Sequence, residues 1–111
     1  MAETFKFVNA TLTTANIETQ NIYTSPALTT SIIFMGQLAN IDPSNAAAVS
    51  VTAYDSSATN RDYLAANIPV PVGAATTFLT GKLVLEAGDV LSANANGNNR
   101  IDVSLSILQL T

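Results

Sequence analysis

The side chains that could do chemistry in this chain are its carboxylates: Glu3, Glu18, Asp42, Asp55, Asp62, Glu86, Asp89 and Asp102. Glu86 and Asp89 stand three apart in the turn sequence EAGD. A hard cation such as Ca²⁺ takes six to eight oxygens, often from loop carboxylates and carbonyls. The spacing here matches no EF-hand loop. An aspartate at a Gly-Asp turn ordinarily accepts hydrogen bonds from its own backbone, so no metal ligands are assigned. Histidine and cysteine are both absent. That removes Ser-His-Asp and Cys-His constellations, thiolate metal sites and disulfides. A Ser-Lys pair would need Lys6 or Lys82 desolvated beside a serine, and nothing in either neighbourhood argues for it. The expectation is a protein with no catalytic residue, no cofactor and no enzymatic activity.

Composition narrows the partners. The chain has 111 residues, enough for one domain with one core. Apolar residues make up 48% and charged residues 11%, less than half the usual charged share. Either Thr, Asn, Ser and Gln solvate the surface, or partners cover much of it. Net charge is −4, and the four basic residues, Lys6, Arg61, Lys82 and Arg100, are scattered. A phosphate backbone or an anionic membrane needs clustered positive charge, so neither is expected as a partner. No apolar run approaches the length of a membrane-spanning helix. The opening MAETFKF lacks the basic start and apolar stretch of a signal peptide, which leads to the expectation of synthesis in a cytoplasm. The NAT triplet at 9–11 fits the glycosylation acceptor pattern, a match common by chance.

The elements that would hold any site are strands. Val49, Val51 and Ala53 alternate with Ser50, Thr52 and Tyr54. Ile101, Val103, Leu105 and Ile107 alternate with Asp102, Ser104 and Ser106. Successive side chains of a strand point to opposite faces, so both stretches read as half-buried strands. In TTSIIFMGQLAN, Ile32, Phe34 and Leu38 fall on one side and Ile33 and Met35 on the other, which predicts a strand buried on both faces. Breaks separate the strands: TSPA at 24–27, DPSN at 42–45, the polar loop DSSATN at 55–60, IPVPVG, EAGD at 86–89 and NANGNN at 94–99. The stretch from 68 to 95 reads as strand, turn, strand, turn, strand, with Leu83 and Leu85 on one face and Val84 on the other. No window gives a helical stripe. The pattern predicts an all-β fold, a single antiparallel β-sandwich of about eight strands, jelly-roll-like or Ig-like. Residues 1–19 read as an N-terminal strand or arm that a neighbour could take up, and 20–111 as the sandwich domain.

One irregularity points outward. After Ile107 the apolar side of the last strand is joined by Leu108 and Leu110, on the face that carried Asp102, Ser104 and Ser106. The alternatives are burial of both faces within the domain, a bulge, or a subunit contact. Ile33 and Met35 raise the same choice. Together with the low charge, Ile33, Met35, Leu108 and Leu110 are the candidate subunit interface. Tyr54 and Tyr63, flanking the 55–60 loop, are the one hint of a sugar-binding surface.

NIYTSPALTTSIIFMGQLAN resembles the opening of small tailed-bacteriophage virion proteins, in which an IYT-P strand leads through a Thr-rich turn into an apolar strand ending in AN. IPVPVGAATTFLTGKLVLEAGDVLSANANG is similar to their second half, and DVSLSILQLT to their last strand. The resemblance covers residues 20–111 and is best over 81–91. It implies a small β-sandwich of the virion with no catalytic residue: a capsid decoration or cement protein, or a neck, tail or baseplate accessory. It further implies a homo-oligomer, a trimer for a cement role, whose partners are its own copies and other virion proteins such as the major capsid protein. A carbohydrate- or receptor-binding sandwich is the alternative from a different class.

Overall fold

Alternation as strict as that of Ile101 to Ile107 gives an extended segment one apolar side, which must find cover. In the computed structural model, which describes residues 2–13, 20–79 and 81–111, those four apolar residues are buried. They lie along the last of nine strands. In chain order these are β1 (Glu3–Thr11), β2 (Gln20–Thr24), β3 (Thr30–Asn40), β4 (Ala47–Asp55), β5 (Asn60–Val70), β6 (Ala75–Thr77), β7 (Leu83–Leu85), β8 (Val90–Ala95) and β9 (Ile101–Leu110). Among the described residues there is no helix.

The strands form two antiparallel sheets. One runs β1-β9-β3, with β6 and β7 sharing the far side of β3; the other runs β2-β8-β4-β5. The chain changes sheet at almost every connection and returns so that β9 is inserted between β1 and β3. That order is the pair of interlocked Greek keys of a jelly roll. It is not the ABED and CFG arrangement of an immunoglobulin sandwich, the other form expected.

Register follows the apolar pattern. Val49 and Val51 oppose Ala95 and Ala93, all pointing into the core, while Ser50 and Thr52 oppose Asn94 and Ser92 on the other face of the sheet, where Ser50, Thr52 and Ser92 are buried as well. Leu83 and Leu85 turn in and Val84 turns out, as their alternation requires. The inner faces of the two sheets meet in one core, with Ile33, Leu38, Val103 and Leu105 from the first sheet and Val49, Val51 and Leu91 from the second. Full burial of each such aliphatic side chain contributes about 1.5–3 kcal/mol.

The long segment from 68 to 95 now has a structural purpose. It closes both sheets, ending β5, laying β6 and β7 along opposite halves of β3, and entering β8. Between β6 and β7, Phe78 turns inward and lays its ring over Gly36. An added Cβ at Gly36 would sit 2.5 Å from Phe78 Cζ, so glycine is needed there for the close approach.

β3 departs from the expected alternation. Its pairing with β9 shifts between Ile33 and Met35, so Phe34 is an extra residue. The bulge keeps Ile33 and Leu38 both inward and puts Phe34 and Met35 both outside. Strict period 2 would have set Ile33 and Leu38 on opposite faces.

At one end the core is polar and fully paired. Gln109 Nε2 donates to Tyr23 Oη at 2.7 Å, Tyr23 Oη and Ser31 Oγ lie 2.7 Å apart, and Ser31 Oγ lies 2.9 Å from Ser25 Oγ. Tyr23 belongs to one sheet and Gln109 and Ser31 to the other, so this chain of bonds fixes how the sheets stack. Residues 3–11, set apart in the sequence as part of an arm, lie along β9 of the same chain in nine consecutive pairs. Residues 14–19 of that arm fall outside the described residues.

Candidate interaction face

The outer side of the β1-β9-β3-β7 sheet carries an apolar row that crosses every strand. Register sets Phe5 opposite Leu108, Leu108 opposite Ile32, and Ile32 opposite Val84. Directly opposed residues share a face, so these four side chains lie side by side. A second row beside it holds Phe7, Ser106 and Met35. Phe34, pushed out by the bulge, packs edge to face on Phe5 with ring centroids 6.2 Å apart. Four of the eight exposed large hydrophobic residues among those described lie here: Phe5 at 72%, Phe7 at 63%, Val84 at 56% and Phe34 at 45%. Charge appears only at the margins of the β1-β9 strip, in Glu3 beside Leu110 and in Asp102 beside Thr11. A contiguous apolar surface on a small domain is a candidate for contact with another molecule.

The interface residues expected from sequence divide. Met35, Leu108 and Leu110, half-buried, stand on this outer face and come together there. Ile33 does not. It points into the core and has no exposed surface, so it has nothing to offer a second subunit, because the bulge assigns Ile33 and Met35 to opposite faces. The sequence reading did not single out Phe5, Phe7 or Val84. The signal was present in the alternation of TFKFV and LVL, but nothing in the sequence says that their outward faces belong to one sheet.

The outer face of the second sheet is polar by contrast, and its Ser50, Thr52 and Ser92 are buried under neighbouring side chains. Ser92 Oγ donates to Asn21 Oδ1 at 2.9 Å, and Asn67 N donates to Ser50 Oγ at 3.0 Å. Arg61 Nη1 donates to Thr52 Oγ1 at 2.9 Å, and its guanidinium carbon stands 5.4 Å from the Tyr54 ring centroid. Tyr54 is thus covered by Arg61, which leaves Tyr63 as the more open of the two tyrosines that flank the 55–60 loop.

The carboxylates meet at one end of the sandwich. Asp55 joins Glu86 and Asp89, one oxygen of each lying within 4.8 Å of the others. Hydrogen bonds account for the geometry. Asp89 Oδ1 accepts from Ser56 N and Oγ, and Asp89 Oδ2 accepts from Glu86 N. Asp55 Oδ1 accepts from Ser57 Oγ at 2.7 Å and Ser57 N at 3.0 Å, and these bonds hold the Asp55 carboxyl below its ordinary pKa. The cluster ties the β4–β5 turn to the β7–β8 turn.

No family model matches this chain, and no curated protein matches it. Among solved structures it is similar to a pentameric capsid protein isolated from metagenomic phage sequences, with a TM-score of 0.42 and 18% identity over 93% of this chain and 63% of that one. A second structure of a pentameric capsid protein from metagenomic phage sequences gives 0.40 and 18% over 93% and 59%. Infectious bursal disease virus, Gt strain, gives 0.41 and 10% over 96% and 32%. This chain therefore spans about three-fifths of the length of the first two and about a third of the last. At TM-scores below 0.5, neither the fold nor the function of those proteins carries over to this one.

The two outer surfaces decide what the molecule can do chemically. One is built of hydroxyls and amides already paired with one another. The other offers aromatic and aliphatic area whose removal from water is worth about 25 cal/mol per Å².

Proposed function

We propose that this chain is a structural protein of a virus particle, most specifically a capsid decoration or cement protein of a tailed bacteriophage. It binds the assembled shell through the outer face of the β1-β9-β3-β7 sheet and acts as a symmetric homo-oligomer. The observation that carries the reading is the apolar row from Phe5 to Val84 on that face. Jelly rolls serve as shell domains, lectins and cupins. A broad apolar outer surface fits the shell role, in which neighbouring subunits cover each domain. The sequence resemblance over residues 20–111 points the same way, and the low charged fraction fits a surface that is covered in use.

The mechanism is area multiplied by symmetry. A standard contact buries about 800 Å² per partner. A shell repeats its binding sites, so copies joined to one another bind together, and effective concentration makes the array far tighter than one contact. The partners are copies of the chain itself and the major shell protein. No bond is made or broken and no cofactor takes part.

The test is addition of purified protein to shells that lack it, followed by sedimentation. Co-sedimentation at a fixed ratio to the shell protein, with a higher shell disruption temperature, is the expected result. Protein that stays in the supernatant and instead binds immobilised glycans would favour the carbohydrate-binding alternative, with Tyr63 as its first candidate contact.

A further inference from the structure

Among the described residues β1 is an edge strand, with no strand beyond it, and its edge is unlike every other edge of the sandwich. β2 is five residues long and has an irregular register between Asn21 and Tyr23. β5 carries two register shifts, Pro69, and Asn67 in a left-handed conformation at φ 50°. β6 and β7 have three residues each. Shortness, bulges, proline and charged side chains, lysine above all, are the devices that keep sheet edges from pairing with other chains. Of these β1 has only charge, in Glu3 and Lys6. It runs nine residues in unbroken register with β9 and contains no proline.

The hydrogen bonds say which backbone groups are on offer. Ala2 and Thr111 exchange both bonds at 2.9 Å, and Leu12 N donates to Ile101 O. In an antiparallel ladder such pairs alternate, so the even-numbered residues of β1 bond to β9. Glu3, Phe5, Phe7 and Asn9 therefore turn their N–H and C=O groups outward. So does Thr11, whose carbonyl accepts from Gln20 Nε2. Thr4 and Lys6 sit on the inner side of the sheet by register yet are exposed, so the second sheet leaves space beside this half of the strand.

We propose that two copies of this chain pair β1 with β1, antiparallel, about a two-fold axis through Phe7. Phe7 then faces Phe7 and Phe5 faces Asn9, and the outward groups of each strand meet those of the other. Lys6 lies opposite Val8. Moving the axis to Lys6 would set two like charges against each other, which is destabilising. The two sheets join into one, and their apolar outer faces lie edge to edge as a single surface twice as wide. This rests on the reading of the chain as an assembly subunit and names one of its partners, a second copy.

The experiment uses the full chain in sedimentation velocity at about 0.1 mM, a level at which a standard-sized interface is expected to be populated. The expected result is a particle of twice the 11.6 kDa chain mass. Asn9→Pro removes an N–H that points off the edge and takes no bond from β9, and the side chains of the apolar face are untouched. It is expected to lose the dimer while keeping its circular dichroism spectrum. The chain has no cysteine, so Phe7→Cys reports alone. Opposed residues of a bonded pair have Cα atoms about 5.5 Å apart, within disulfide reach. Oxidation is expected to yield a covalent dimer. A monomeric wild type, an oligomer unaffected by Asn9→Pro, as strand exchange would give, or a Phe7→Cys protein that does not cross-link overturns the pairing. If Asn9→Pro fails to fold, the cross-link decides. Shell binding by a monomeric wild type would sink the pairing and leave the proposed function standing. A β1-paired dimer that ignores shells would do the reverse.

Discussion

Phe5 of β1 and Phe34 of β3 meet edge to face with ring centroids 6.2 Å apart, although β9 runs between their strands. Strands two places apart in a sheet are separated by about 9.5 Å. The rings close that gap because the bulge lifts Phe34 outward and because β9 contributes small Ser106 next to Leu108. The contact makes one surface of residues that are far apart in the chain.

Val84→Lys and Leu108→Lys test that surface. Val84 is more than half exposed, so its replacement should change stability by no more than about 0.5 kcal/mol. Leu108 is half-buried and should cost somewhat more. Both should abolish shell binding. Urea denaturation and co-sedimentation check the two halves, and unimpaired binding by both variants would remove the face from consideration.

Gly36→Ala places a Cβ where the Phe78 ring now lies. The ring must shift, at a cost of about 1–3 kcal/mol. Adding Phe78→Leu to Gly36→Ala should cost less than the two single changes summed, since they share one space. Chemical denaturation of all three variants gives the coupling, and strict additivity would contradict it.

Tyr23→Phe deletes the hydroxyl that links Gln109 and Ser31. Gln109 Nε2 loses its buried acceptor, and the expected loss is about 1–3 kcal/mol. Gln109→Leu combined with Tyr23→Phe should recover part of it, because no buried donor is then left over. A melting curve for each protein settles the order.

Hydrogen bonds from Ser57 hold Asp55 below the ordinary carboxylate pKa, and hydrogen bonds from Ser44 and Asn45 do the same for Asp42, where Arg100 adds a smaller push. A depressed folded-state pKa means that the unfolded chain binds protons first as pH falls. This contribution to stability is complete above the ordinary value of 3.8 and is lost as pH drops through the lower folded values. Melting temperature should therefore fall below about pH 4. Asp55→Asn should flatten part of that dependence, and Asp42→Asn another part. Melting profiles for the two variants that matched the wild type at every pH would contradict this.

Much of the fold was legible from side-chain order. Val49 to Tyr54, Ile101 to Ile107 and Leu83 to Leu85 alternate, and each strand lies with its apolar residues inward. β3 was legible only in part. Ile32, Ile33, Phe34 and Met35 are all apolar, so no alternation existed to say which faced the core. The carboxylate pair Glu86 and Asp89 was visible in EAGD, but Asp55, some 30 residues earlier, joins them only through folding.

By itself the sequence determined that the chain is β, where most strands turn, and that it has no histidine or cysteine with which to do chemistry. These are local properties, set by period-2 burial and by residue types that favour turns. Tertiary structure decided that Met35, Leu108 and Val84 share a face while Ile33 does not, and that among the described residues β1 is the last strand of its sheet. Which strands are neighbours, and where a bulge resets the register, depends on contacts between distant segments. Only the closed sandwich tells apart an apolar residue that is covered from one that still needs a partner.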